Sequence, residues 1–276
     1  MIIRLKRIAE KNKVLSIFVK IFCLCTFSII SFCTEAAGRI RTYGIGGRQY
    51  KSLIQYKNKY SGQRCFIIAM GPSLKMDDLN KLRNEYTFGM NSICKIYNQT
   101  DFRPTFYGIQ DFYVYGDIKE YIERYYSGKD NVFVSNRIKW HFKLDRKWNV
   151  FPLNTAYNAY KRWFKDIYDV RFSDDIYRQV YDGFSITMSL IQIAVYMGFK
   201  NIYLIGADCD FQPDKKLHFV EHDGSIDATL DTAAARNFAG YRMAKEFAEE
   251  NHVSIYNATH GGKLEIFKRV DFDSLF

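Results

Sequence analysis

The sequence lacks the signatures that most often settle a function outright. Its six cysteines, Cys23, Cys25, Cys33, Cys65, Cys94 and Cys209, form no CxxC pair and join no histidine at zinc spacing, which argues against a zinc site. Three lie in a hydrophobic N-terminal stretch and three are scattered, as expected of reduced apolar cysteines in a cytosolic fold. No GxxxxGKS or GxxxxGKT occurs, which argues against a P-loop kinase. There is no internal repeat and no low-complexity segment. Charge excess is also missing from most of the chain. The net charge is +10, yet residues 1–60 hold twelve Lys or Arg against two acids, Glu10 and Glu35, and so carry the whole surplus. Residues 61–276 balance 28 basic against 28 acidic residues. A nucleic-acid-binding domain would spread its charge over the folded body, so no nucleic acid is expected as partner. A basic segment beside an apolar one instead fits an anionic membrane surface, where each basic residue contributes about 1 kcal/mol.

What is present is enough for one α/β domain and an appendage. With 276 residues, 47% of them apolar, the chain can bury a substantial core. Residues 14–33 are apolar except for Lys20 and four hydroxyl residues, and they follow Arg4, Lys6, Arg7, Lys11 and Lys13. Twenty helical residues rise about 30 Å, the thickness of a hydrocarbon core. A spanning anchor, a cleaved signal peptide and an interfacial helix all fit. Basic residues flank the stretch on both sides, so the positive-inside rule does not choose an orientation. The expected domains are a basic N-terminus with a membrane anchor or interfacial helix over 1–38, a linker and short helix over 39–63, and a catalytic domain over 64–276. The expected place is a bacterial inner membrane with the catalytic body on the cytoplasmic side.

In the body, strands and helices alternate. Residues 65–70 form a short, wholly apolar run, as a buried parallel strand does. Further strands are expected over 86–90, 105–109, 131–134, 201–205 and 253–256, and helices over 76–84, 117–126, 185–197 and 230–251. Residues 137–182, crowded with aromatics and charges, read as a lid or insertion. The expected architecture is α/β: a Rossmann-like, doubly wound, mostly parallel sheet with an inserted helical lid and an N-terminal hydrophobic helix. Such sheets bind ligands beyond the carboxyl ends of their strands. Five polar clusters fall there: Gly71 to Lys75, Asn91-Ser92, Gln110-Asp111, Gly206 to Asp210, and Asn257 to Gly262.

Gly71-Pro72-Ser73 joins the first strand to a helix. Gly lets the backbone approach a ligand, Pro sets the turn, and Ser73 can cap a helix whose N-terminus faces an anion, although an ordinary turn has the same composition. Asp208 and Asp210 can hold a ribose hydroxyl, hold Mg²⁺ or cap a turn. His218 and His222 lie four apart, but Pro213 and Gly224 make the segment a loop without a third ligand. A general base is the better role for such a histidine near neutral pH, against a surface pair as the plain alternative.

Taken together, Gly-Pro-Ser-Leu-Lys after an apolar strand, Gly89-Met90-Asn91, and the block from Met197 through Gly206 to Asp208 resemble two related groups. One is the MptE-like family, formerly domain of unknown function 115, named for an archaeal hydroxymethylpterin diphosphokinase. The other is the bacterial lipooligosaccharide sialyltransferases of glycosyltransferase family 42. The second resemblance implies that Gly71, Ser73 and Asn91 cradle a CMP moiety and that Ser185 or Thr187 touches the donor. It also implies that His222, the second His of the pair, is a metal-independent catalytic base. The chain departs from that pattern at Ala69-Met70, at Tyr181-Asp182 where an arginine is usual, and over 210–216, which lacks the leaving-group tyrosines. The expected activity is a membrane-associated glycosyltransferase of surface polysaccharide or lipooligosaccharide synthesis. It would take a nucleotide sugar, such as a CMP-sugar, to a lipid-linked or oligosaccharide acceptor. The expected site is catalytic His222 and His218, with Gly71, Pro72, Ser73, Asn91, Gln110, Asp111, Ser185, Thr187, Gly206, Asp208 and Asp210 around the nucleotide and no metal. The alternatives are an ATP- and Mg²⁺-dependent diphosphokinase and a non-catalytic nucleotide-binding scaffold.

Overall fold

The computed structural model describes residues 13–212, 218–220 and 230–276. Helix α1 (Lys13–Thr42) is followed by a 3-10 helix over Arg48–Tyr56, and the α/β body begins at β1 (Arg64–Ile68). Next come α2 (Met76–Lys81), β2 (Tyr86–Met90), β3 (Phe106–Ile109), α3 (Phe112–Tyr126), β4 (Val132–Ser135), α4 (Asn136–Lys139) and β5 (Asn149–Phe151). The chain continues through β6 (Leu153–Asn154), α5 (Ala159–Lys165), β7 (Val180–Tyr181), α6 (Ile186–Tyr196), β8 (Asn201–Ile205), α7 (Leu230–Glu250), β9 (Ser254–Asn257) and β10 (Lys268–Arg269).

Among the described residues the main sheet has eight strands in the order β10-β9-β8-β1-β2-β3-β4-β5. Every neighbouring pair in it is parallel. The strands are apolar because helices cover both faces: Cys65, Phe66, Ile67 and Ile68 are all fully buried in the centre of the sheet. The chain first builds outward from β1 to β5. It then returns through α6 and lays β8 against the other side of β1, so β1 and β8 flank the switch in winding direction. A small parallel pair, β6 and β7, stands apart.

Helix α6 carries the return. Ten of its residues, from Ile186 to Tyr196, are buried, which explains why the sequence is apolar all round there. The Ser185 side chain caps it by accepting from the Met188 N–H at 3.4 Å, and Gly198 at φ 93° ends it. Helix α3 starts at Phe112, five residues before the expected start, because Asp111 caps it and accepts from the Tyr113 and Val114 N–H groups. Residues 137–182 contribute edge strand β5, the β6–β7 pair and α5, and they bury Trp148, Phe151, Ile176 and Val180 in the core that β1 centres.

Candidate functional site

The switch between β1 and β8 is built from three loops sewn together by hydrogen bonds. After β1 the Gly71 N–H donates to the Gly206 carbonyl at 2.8 Å, tying the first loop to the loop after β8. Asp208 lies at the centre. One of its oxygens accepts from the Ser73 N–H at 3.2 Å and the other from the Ser73 hydroxyl at 2.8 Å. The Asp208 carbonyl accepts from the Lys263 N–H at 2.7 Å, which brings in the loop after β9. The Thr259 hydroxyl receives the Ala207 N–H at 3.0 Å and completes the join.

Close approach explains the glycines. A Cβ at Gly71 would lie 2.0 Å from an Asp208 oxygen and 2.4 Å from the Gly206 carbonyl, so no side chain fits there. Gly206 adds a left-handed backbone, φ 63°, and a Cβ there would meet the Ala69 carbonyl at 2.5 Å. Burial, with Asp210 nearby as a lesser cause, pushes the Asp208 carboxyl above its usual range, and the two Ser73 bonds pull it partly back. Next to it, burial pushes the Cys209 thiol up to about 12, which removes it as a nucleophile near neutral pH.

A second group gathers at the ends of β2 and β3 and at the start of α6. Asn91 adopts a left-handed conformation, φ 45°, and its carbonyl accepts from the Tyr107 hydroxyl at 2.7 Å. This fixes the backbone from which the Asn91 side chain projects. The Gln110 side chain accepts from the Ser189 hydroxyl at 2.6 Å and donates to Asp182 at 3.4 Å. Asp182 is buried, and burial pushes its carboxyl upward against the opposing pull of Arg162, the Phe184 N–H, Arg137 and Gln110. Two expected nucleotide ligands have other employment: Asp111 is the α3 cap, and Thr187 is buried with its hydroxyl 3.6 Å from the Met90 sulfur. Pro72 and Ser185 lie at the expected ends of their elements, and Ser185 spends its hydroxyl on the cap.

Residues 218–220 run past the first loop, where the Phe219 N–H donates to the Met70 carbonyl at 2.7 Å. His218 is exposed beside that tether. His222 lies outside the described residues. A histidine that the sequence did not single out also belongs here: the His260 ring nitrogen lies 3.0 Å from Asp78, whose other oxygen accepts from the Lys75 N–H at 2.9 Å. The partners are 182 positions apart, so only the fold brings them together.

The acidic pair is engaged within the protein. Both Asp208 oxygens are taken by Ser73, and Asp210 is ion-paired with Lys263 at 2.9 Å. Among the described residues no three His, Cys, Asp or Glu side chains gather as metal ligands. A recess of about 800 Å³ lies elsewhere: Gly198, Lys200 and Val253 place it at the opposite, N-terminal end of the strands.

Fold and site together define a doubly wound α/β protein whose loops converge at the topological switch point, the position where such sheets take ligands. By sequence the chain belongs to the MptE-like family, described as 6-hydroxymethylpterin diphosphokinase MptE-like, whose profile matches residues 47–214. No curated protein matches it by sequence. Among solved structures it is similar to the MAf glycosyltransferase of Magnetospirillum magneticum AMB-1, at 15% identity and a TM-score of 0.48. That match covers 83% of this chain but 38% of the Magnetospirillum protein. It is also similar to the sialyltransferase CstII of Campylobacter jejuni, solved in complex with a substrate analogue, cytidine-5'-monophosphate. There identity is 16%, the TM-score is 0.47, and the match covers 76% of this chain and 85% of the other.

Proposed function

We propose that the chain is a membrane-associated glycosyltransferase that binds a nucleotide sugar across the β1–β8 switch. The observation that carries this reading is the commitment of Asp208 to Ser73. It turns the Gly-Pro-Ser loop into a fixed backbone cradle and leaves the acidic pair engaged within the protein. In this reading the loop from Gly71 to Ser73 and Asn91 receive the nucleotide, as their resemblance to the sialyltransferase motifs implies. The acceptor hydroxyl attacks the anomeric carbon, its proton passes to His222, and the C–O bond to the nucleotide phosphate breaks as the nucleotide leaves. General-base help of this kind is worth about 10²–10⁴ in rate. The donor proposed is a CMP-sugar and the acceptor a lipid-linked saccharide of surface polysaccharide assembly.

The family description favours a second reading, a diphosphokinase using ATP and Mg²⁺. The two readings separate in a thermal-shift titration of the full chain with CMP, CDP, UDP, GDP and ATP, each with and without Mg²⁺. A ligand at 100 times its Kd adds about 2.7 kcal/mol of stability. The glycosyltransferase reading expects stabilisation by CMP without metal. Stabilisation only by ATP with Mg²⁺ would replace it with the diphosphokinase, and no response to any nucleotide would leave a scaffold. A His222→Ala chain is expected to keep the CMP response and lose turnover.

A further inference from the structure

Helix α1 is long and apolar enough to cross a membrane by length and composition, and its contacts argue for a different placement. It is docked on the body along most of its length. Val19 and Cys23 are buried against Tyr160 and Phe164 of α5. Farther along, Glu35 pairs with Arg171 at 2.6 Å, and Gly38 packs so closely on Arg178 that a Cβ would lie 2.8 Å from its carbonyl. Arg41 is buried and donates to the carbonyls of Tyr177 and Arg178 at 2.7 and 2.5 Å. From Val19 to Arg41 the helix rises about 33 Å. Only residues 13–18 of the described helix precede the first docking point, about 9 Å of rise against the ~30 Å of a hydrocarbon core. Spanning would therefore carry α5, with its exposed Lys161 and Lys165, into lipid.

The two sides of the helix differ in kind. At about 100° per residue, positions 19, 23, 27, 38 and 41 share one side, the docked one. Ile17, Phe18, Ile21, Phe22, Ile29 and Phe32 share the other, and all are between 53% and 73% exposed. Exposed Lys20 lies at the border of the two, where it can reach headgroups. The whole charge surplus of the chain falls in residues 1–60, the part of the sequence that holds and flanks this helix.

We infer that α1 is an in-plane membrane helix, its docked side holding the body and its outer side seated at the headgroup–acyl boundary of an anionic phospholipid surface. The exposed Cys25 and Cys33 provide the test, since the other four cysteines are buried. The full chain, as Cys33→Ser or Cys25→Ser, is labelled with a fluorophore at the remaining exposed thiol and bound to phosphatidylcholine vesicles with or without phosphatidylglycerol. Lipids carrying quenchers at graded depth then report where each label sits. Shallow depths, short of the bilayer centre, are expected at both positions, with binding at least about tenfold tighter when phosphatidylglycerol is present. A Cys25 label at the bilayer centre with the Cys33 label near the surface would overturn the inference, as would failure to bind either vesicle. A Tyr160→Cys chain with Cys25 and Cys33 replaced by Ser adds an independent check: treated on vesicles with a short bis-maleimide it should cross-link to native Cys23, and loss of that cross-link on membrane binding would overturn the docked placement.

Discussion

The two ends of the parallel sheet are built on opposite plans. At the carboxyl ends of β1, β8 and β9, Gly71, Gly206 and Gly262 let the backbones approach closely, and Asp208 joins the three loops. At the amino ends a recess of about 800 Å³ opens among long, charged side chains such as Arg39, Lys57, Arg178 and Lys200. Volume alone would place the ligand in the recess. The proposed site is at the tight end, because a fixed backbone cradle loses little freedom on binding whereas long lysine and arginine side chains lose much. A site is thus better recognised by what holds its donors still than by the empty space around it.

The largest expected effect comes from closing the cradle. Gly71→Ala places a methyl against both the Asp208 carboxylate and the Gly206 carbonyl, and a loss of about 3 kcal/mol or more in chemical denaturation is expected. Asp208→Ala comes next: it leaves the Ser73 N–H and hydroxyl without their acceptor, costs about 1–3 kcal/mol, and should abolish the nucleotide-induced thermal shift. A retained shift in that chain would remove Asp208 from the account.

A smaller, pH-dependent effect is expected at Asp182. Its folded carboxyl titrates above the ordinary 3.8, so the native state holds a proton that the unfolded chain has released. That contribution is complete below about pH 4 and is lost as pH rises through the folded value. Asp182→Asn keeps an acceptor for the Phe184 N–H and should flatten this decline in denaturation midpoints measured upward from pH 4. A steeper decline in the variant would reverse the sign argued here. Smallest of all is Lys200→Ala at the opposite end: stability should change by less than about 0.5 kcal/mol and the nucleotide response not at all.

The central strands were legible because a parallel strand covered on both faces must be a short, largely apolar run, as β1, β2, β3, β4 and β8 are. Strand β5 was not, because Asn149–Phe151 offers three residues and a buried Asn at their head. The Asp111 cap was missed for a related reason: Phe112 and Tyr113 carry no helical signal of their own. In the site, sequence order identified the polar strand ends but not how they pair. Ser73 and Asp208 each stood out as a ligand candidate, yet nothing in their spacing says that they bind each other, and the Asp78–His260 contact is equally non-local. Arg41 shows the same limit: in the sequence it is one of the basic residues flanking the apolar stretch, whereas the fold buries it against two carbonyls.

Hydrogen exchange of the full chain with and without CMP tests the central claim most directly. Nucleotide should slow exchange in residues 69–75 and 206–210, on the two sides of the β1–β8 switch, and leave 57–61 and 196–200 unchanged. Protection confined to 57–61 and 196–200 would move the site to the recess at the other end of the sheet and contradict the account.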